Sequence, residues 1–136
     1  MMHSIVPLTA KEIGDMFREK RDIVWDQLRR QYPCIQFAYP AIVYNKRLKT
    51  TAGRAFFDSN PQFIDICNDM VWEHTNQMIE ETIPHELAHL AAYTAFGDSG
   101  HGKGWREVMA FLNKEANRCH NMINSRHEAA KMARMK

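Results

Sequence analysis

His85-Glu86-Leu87-Ala88-His89 is the stretch on which the reading of this chain turns. Residues four apart on a helix lie one turn apart on one face, so His85 and His89 can offer both imidazoles to a single ion. Glu86 sits about 100° round the axis from His85. Its carboxylate can flank that ion and reach a water held there without becoming a ligand itself. This is the arrangement of a zinc peptidase helix. The neighbours Leu87, Ala88, Leu90, Ala91, Ala92, Ala95 and Phe96 make the segment apolar on nearly every side, which predicts a buried helix. Buried imidazoles and carboxylates need partners to offset lost hydration, and a metal ion supplies one.

Two histidines do not complete such a site, because catalytic zinc usually takes three protein ligands and leaves a fourth position to water. An extended motif with glycine at 92 and histidine at 95 is excluded, since Ala92 and Ala95 stand there. Downstream lies Gly100-His101-Gly102-Lys103-Gly104-Trp105. Gly97 is placed to end the helix, and the surrounding glycines allow a sharp loop that turns His101 back toward it. His101 is therefore the expected third ligand, with Glu107, one turn into the next helix, as the alternative.

The chain has 136 residues and no Gly/Ser/Pro-rich linker, which predicts one domain over residues 1–136, with 121–136 a basic tail that continues as a polar helix or frays. The opening Met1 to Pro7 lacks a basic segment followed by an apolar core, and no run of about 18 apolar residues occurs. A cytoplasmic protein with no membrane partner is expected, or a phage-encoded one acting in a host cytoplasm. Cys34, Cys67 and Cys119 are widely spaced and form no C-x-x-C, so a disulfide framework or zinc ribbon does not follow and each thiol is expected to pack among apolar groups. His3, His74 and His127 show no ligand spacing.

Net charge is only +2, so its distribution carries the information. Arg18, Lys20, Arg21, Arg29 and Arg30 are interleaved with Glu12, Asp15, Glu19, Asp22 and Asp26, which reads as a mixed solvated surface. Lys46, Arg47, Lys49 and Arg54 have no acid between them and Tyr44 nearby, a weak nucleic-acid signal.

Thr9, with Glu12 at capping-box spacing, opens a helix expected to run to about Arg30 with Ile13, Phe17, Val24, Trp25 and Leu28 inward. Four extended pieces follow: Ile35–Tyr39 between Pro33 and Pro40, then 42–44, 54–57 and 63–67, with a turn at Asp58-Ser59-Asn60-Pro61. Asn68 or Asp69 is expected to cap a short helix and Asn76 the long one, in which Pro84 forces a kink or a fresh start. Trp105, Val108, Met109 and Leu112 form the stripe of a further helix. The predicted class is α+β: an N-terminal helix, a small three- to four-stranded sheet, then helices including the buried motif helix, a zincin-like arrangement.

Taken in order, Ala52-Gly53-Arg54-Ala55, a strand ending at Asn68, Pro84-His85-Glu86-Leu87-Ala88-His89, and His101-Gly102 followed by Trp105 resemble the SprT-like family of zinc metallopeptidases. Its eukaryotic relatives include the Spartan proteases, which digest proteins crosslinked to DNA. The resemblance covers roughly residues 10 to 120. It implies a Zn2+ cofactor held by His85, His89 and His101, Glu86 as catalytic acid/base, protein or peptide substrates, and DNA as a partner. Arg118-Cys119-His120 also resembles a family segment, without an assigned role. Many bacterial members append a cysteine-rich zinc ribbon and eukaryotic ones ubiquitin- and clamp-binding motifs, neither of which this sequence shows.

The expected activity is peptide hydrolysis, with substrate laid as an extra strand along Gly53, Arg54 and Ala55, where the missing side chain of Gly53 permits close backbone approach. Tyr93 is expected to pack, and of Phe56 and Phe57 one is expected inside and the other outside. The rival is a non-catalytic zinc-stabilised module that binds nucleic acid or protein, its metal closed by Cys119 or His120 as a fourth ligand.

Overall fold

The computed structural model describes residues 7–135; residues 1–6, on which the readings of the N-terminus and of His3 rest, lie outside it. Thr9 opens α1 (Ala10–Gln31) with the expected capping box: its hydroxyl accepts the Glu12 N–H, and the Glu12 carboxylate accepts the Thr9 N–H. The predicted stripe turns inward, with Phe17, Trp25 and Leu28 fully buried. On the outer side Arg18, Arg21 and Arg29 pair with Asp15, Asp22 and Asp26, the mixed surface that their interleaving predicts.

Three strands, β1 (Ala41–Asn45), β2 (Gly53–Phe56) and β3 (Phe63–Cys67), form one sheet in the order β1-β3-β2. β1 runs parallel to β3 and β2 antiparallel to it. The expected strand at Ile35–Tyr39 does not form; those residues are turns and bends. Side chains capture the backbone groups that a ladder would need. The Trp25 indole donates to the Gln36 carbonyl, Arg29 donates to the Phe37 carbonyl, and the Gln36 amide donates to the Ala38 carbonyl. Alternation there records Ile35 buried and Phe37 out in solvent, not a pleat.

Register assigns the two faces of the sheet. Gly53 lies opposite Ile66 and Ala55 opposite Ile64, and this face meets the helices. Arg54 opposite Asp65 and Phe56 opposite Phe63 belong to the other face, where the two phenyl rings stack at 4.4 Å. Asp65, buried in the central strand, is held by Arg54 at 2.5 Å and by the Asn45 amide at 2.9 Å. Phe56 and Phe57 are both half-buried, because Phe57 packs on Tyr93 rather than choosing inside or outside.

After β3 come α2 (Asn68–Glu73) and α3 (Thr75–Gln77), which passes through a single π-helical turn (Met78–Thr82) into α4 (Ile83–Phe96). The expected caps differ. Cys67 occupies the N-cap of α2 and Asp69 instead accepts from Lys49 and Asn124; Asn76 lies inside α3, because the helical path continues through it. The wide turn follows from Pro84. Its ring would strike the carbonyl four residues back in a regular helix, so the chain widens there, the Ile83 N–H bonds the Met78 carbonyl, and α4 starts with proline in its first turn.

α4 buries nine of its 14 residues, Leu87 and Leu90 among them. It ends where Gly97 turns left-handed at φ 69°. α5 (Lys103–Phe111) packs on it through the buried Trp105 and Val108, with Leu112 half-buried just beyond. The tail takes its helical form as α6 (Ser125–Arg134), capped by Asn124 and exposed along its length. Of the thiols, Cys67 is buried as expected, while Cys34 in a turn and Cys119 in a loop are exposed, which corrects the packing expectation for both. Among the described residues no helix is long and apolar enough to cross a membrane.

Gly53 is where sheet and α4 touch. A Cβ there would come within 3.0 Å of both Glu86 Cγ and Thr82 Cγ2 and 3.1 Å of the Asp65 carbonyl oxygen. The missing side chain makes room for α4, so close approach operates on this side of the strand. Gly53→Ala is expected to destabilise the protein by about 1–3 kcal/mol through overpacking, read by urea unfolding; an unchanged midpoint would show that the two elements can part freely.

Candidate metal centre

His85 and His89 stand one turn apart on α4, and the loop after Gly97 brings His101 back against them. Their three Nε2 atoms converge: His85 to His89 is 3.2 Å, His89 to His101 3.1 Å, and His85 to His101 3.2 Å. Glu107, the alternative third donor, is exposed, and its charge faces Tyr32 instead. The helix turns it away from the cluster. Trp105 forms a floor beneath the group, its ring 4.9, 5.4 and 4.6 Å from those of His85, His89 and His101. Its indole N–H donates to the His85 carbonyl at 3.3 Å.

Burial keeps the helix imidazoles uncharged. It pushes His85 down to about 4, with the His101 ring adding to the effect, and His89 down to about 3, with His85 and His101 adding. His101 is also lowered, by burial and then by the charge of Arg118. Backbone hydrogen bonds at Asn117 for His85 and at Gly100 for His89 act the other way. A neutral imidazole carries one bare nitrogen, and in all three rings Nε2 is the nitrogen turned to the cluster. These Nε2 atoms then present lone pairs to the centre.

Lone pairs held about 3 Å apart in a buried place repel one another, and a cation among them removes the repulsion. Tetrahedral zinc with Zn–N bonds of about 2.0–2.1 Å would set its nitrogens about 3.3–3.4 Å apart. The 3.1–3.2 Å spacing of these three meets that demand within a few tenths of an ångström. The donor set, three imidazoles with their Nε2 atoms turned to one point, fits a metal ion.

Glu86 is buried with its carboxylate 3.8 Å from His85 Nε2. Among the described residues no hydrogen-bond donor reaches it, and burial, with the charge of Asp65 adding, pushes it up to about 8. The cluster opens into a cleft of about 760 Å³ between β2 with the Thr50–Ala52 approach on one side and residues 113–121 on the other. His120 lies on that wall but has both nitrogens engaged: Nε2 with the Thr50 carbonyl at 2.6 Å, and Nδ1 accepting the Met122 N–H at 3.0 Å. Cys119 lines the same wall outside the cluster. Tyr93 is exposed and packs on Phe57 at 4.6 Å, as expected of a packing residue.

Sequence reading therefore placed His85, Glu86, His89 and His101 where they meet, and missed Trp105 as a floor and Asp98. An aspartate in a glycine-rich loop just before a helix is a capping signal that could have pointed to the last.

In the metal-free protein two titrations oppose each other. The imidazoles, lowered from 6.5 in the unfolded chain to about 4 and about 3, stabilise the fold above pH 6.5 and withdraw that support as pH falls, because the unfolded chain takes up protons first. Glu86 does the reverse: unfolded it releases its proton near 4.5, folded only near 8, so stability falls as pH rises between them. Glu86→Gln removes the second effect alone. Thermal unfolding in chelator should show variant and wild type alike near pH 4.5 and the variant increasingly the more stable toward pH 8; a gap independent of pH would contradict this.

Comparison with known proteins accords with these features. The SprT-like family model matches residues 15–127. The protein named Protein SprT from Photorhabdus laumondii is 42% identical over 123 residues, 88% of this chain and 59% of the relative. Those from Serratia proteamaculans and Klebsiella pneumoniae are 36% identical over 96 residues and 37% over 87, covering 69% and 62% of this chain and 55% and 51% of theirs. The chain thus spans between half and three fifths of the length of these relatives. No solved structure matches it significantly. With most of its length under the family model, and a motif helix and histidine cluster of the kind its motifs imply, the chain belongs to the SprT-like family.

Proposed function

We propose that this chain is a zinc-dependent endopeptidase with Glu86 as its acid/base. The observation that carries the reading is a buried carboxylate with no donor of its own, 3.8 Å from one of three converging imidazole nitrogens, at the base of an open cleft. A zinc ion held by those imidazoles would supply Lewis acidity, polarising a peptide carbonyl and acidifying a water at its open position. Glu86 takes one proton of the attacking water and returns it to the leaving amine, so that one peptide bond and one water become a carboxylic acid and an amine, which ionise to carboxylate and ammonium at neutral pH. Burial raises its proton affinity, and the charge of the bound ion would lower it again, so that the group can both accept and give.

Substrate is held along β2. The Cys67 N–H bonds the Ala52 carbonyl, and the register pairs Gly53 with Ile66, so the backbone groups of Ala52, Arg54 and Phe56 face β3. Those of Gly53 and Ala55 face the open edge, where an extended peptide can add as a further strand beside Glu86. Arg54 contributes from behind, since its guanidinium is clamped to Asp65 on the far face and steadies the edge.

We take proteins on DNA as the substrate class that the family resemblance suggests. Within the basic cluster, Lys49 pairs with Asp69 and Arg54 with Asp65, which leaves Lys46 and Arg47 exposed as the phosphate contacts. A non-catalytic zinc module would need a fourth donor to close the metal. Among the described residues none stands in the cluster, and His120 has both nitrogens committed.

Three variants test the reading by zinc content and by cleavage of an unfolded protein, with and without single- or double-stranded DNA. Glu86→Gln should keep about one zinc per chain and lose about 10²–10⁴ in cleavage. His101→Ala should lose metal affinity. Ala55→Pro, which removes an outward N–H from an edge strand and leaves the ladder intact, should keep zinc and lose cleavage of extended substrates. Full activity in Glu86→Gln would sink the mechanism, and full activity in Ala55→Pro would sink the strand-addition mode alone.

A further inference from the structure

The loop between α4 and α5 carries His101, and its shape depends on one side chain that chemistry at the cluster does not itself require. Asp98 follows the left-handed Gly97, and its own N–H is tied back to the Ala92 carbonyl, which fixes its direction as it leaves α4. Its carboxylate accepts the Gly100 N–H at 2.8 Å through Oδ1 and the Trp105 N–H at 2.9 Å through Oδ2. The residue at the N-cap of α5 is Gly102, which has no side chain to cap with, so Asp98 serves that helix end from four residues upstream. The glycines let the chain close over it. A Cβ on Gly102 would lie 3.0 Å from Asp98 Oδ2, and one on Gly104 would lie 3.0 Å from Asp98 Cβ and 2.8 Å from Phe96 Cβ.

Every residue gathered in this way acts on the cluster. His101 directly follows the captured amide of Gly100, and Trp105, whose N–H is captured as well, is the floor beneath all three rings.

We propose that Asp98 is the positioning residue of the metal centre: by drawing the amides of Gly100 and Trp105 onto one carboxylate, it delivers His101 and the Trp105 ring to their places around the ion. The proposal rests on the metal reading above and assigns Asp98 no contact with substrate or metal. Asparagine at 98 keeps one oxygen acceptor but turns an NH2 toward a backbone N–H, so half of the gathering fails while a capping residue remains.

The test is competition with a chromophoric chelator for Zn2+ and Co2+ on the full chain, for wild type, Asp98→Asn, Asp98→Ala, His101→Ala and the double variant Asp98→Asn/His101→Ala. Circular dichroism is recorded on each metal-free protein at the temperature of the titration. Asp98→Asn is expected to remain folded and bind metal about 10-fold more weakly, and Asp98→Ala, where it folds, up to about 100-fold more weakly, with a changed visible spectrum of bound Co2+. In the His101→Ala background, Asp98→Asn should cost clearly less than in wild type, because part of what it positions is gone. Wild-type affinity in folded Asp98→Asn would overturn the proposal. An equal loss in both backgrounds would also overturn it, since a general weakening of the fold does not depend on His101. No binding by the wild type would instead overturn the metal reading itself, which keeps the two failures apart.

Discussion

A helix that is apolar on nearly every side tolerates two imidazoles and a carboxylate only if their polar ends are gathered into one place. α4 does this by turning His85 and His89 toward a common point and setting Glu86 beside them, with leucines and alanines filling the rest of its circumference. Much of the architecture serves that burial. α1 and β3 close two sides with Phe17, Trp25, Ile64 and Ile66, and α5 closes a third with Trp105. Partners arrive from outside the helix: a third imidazole from one loop, and the Trp105 ring beneath it. Burial alone would be a cost of several kcal/mol per uncompensated polar group, which is why these partners all crowd onto the same few atoms.

Two local irregularities make the geometry attainable. The π-helical turn before Pro84 lets one helical path pass a residue that cannot bond backward, and it delivers Thr82 and Glu86 to the same spot on the sheet. Gly53 receives them there. A regular helix and a strand with side chains at every position would hold α4 farther from β2, and the edge would no longer lie beside the carboxylate. Neither device contributes a reacting atom, yet the distance from Glu86 to the strand edge depends on both.

Legibility in the sequence followed the range of the interactions. The motif helix, its end at Gly97 and the return of His101 are local events with local signals, and they read correctly because periodicity and glycine chemistry act within a few residues. α1 read well for the same reason, Thr9 and Glu12 bonding across a single turn. Ile35–Tyr39 read wrongly because alternation is shared by strands and by any extended segment with one buried side. What decided it was capture of its carbonyls by Trp25 and Arg29 from α1, which spacing does not reveal. The expected helix caps failed where side chains found more distant partners, as Asp69 did with Lys49 and Asn124.

The open edge of β2 has a consequence beyond substrate. Unpaired N–H and C=O groups on Gly53 and Ala55 form a template that any extended chain can read, including a partly unfolded copy of the same protein. The strand answers this hazard by being short, four residues long, and by placing the charged Arg54 at its middle, which makes docking of a second sheet edge unfavourable while a single flexible peptide can still enter. Under the strand-addition mode proposed above, the sheet itself would select disordered over folded polypeptide, since only a chain able to surrender its own backbone hydrogen bonds could complete this edge.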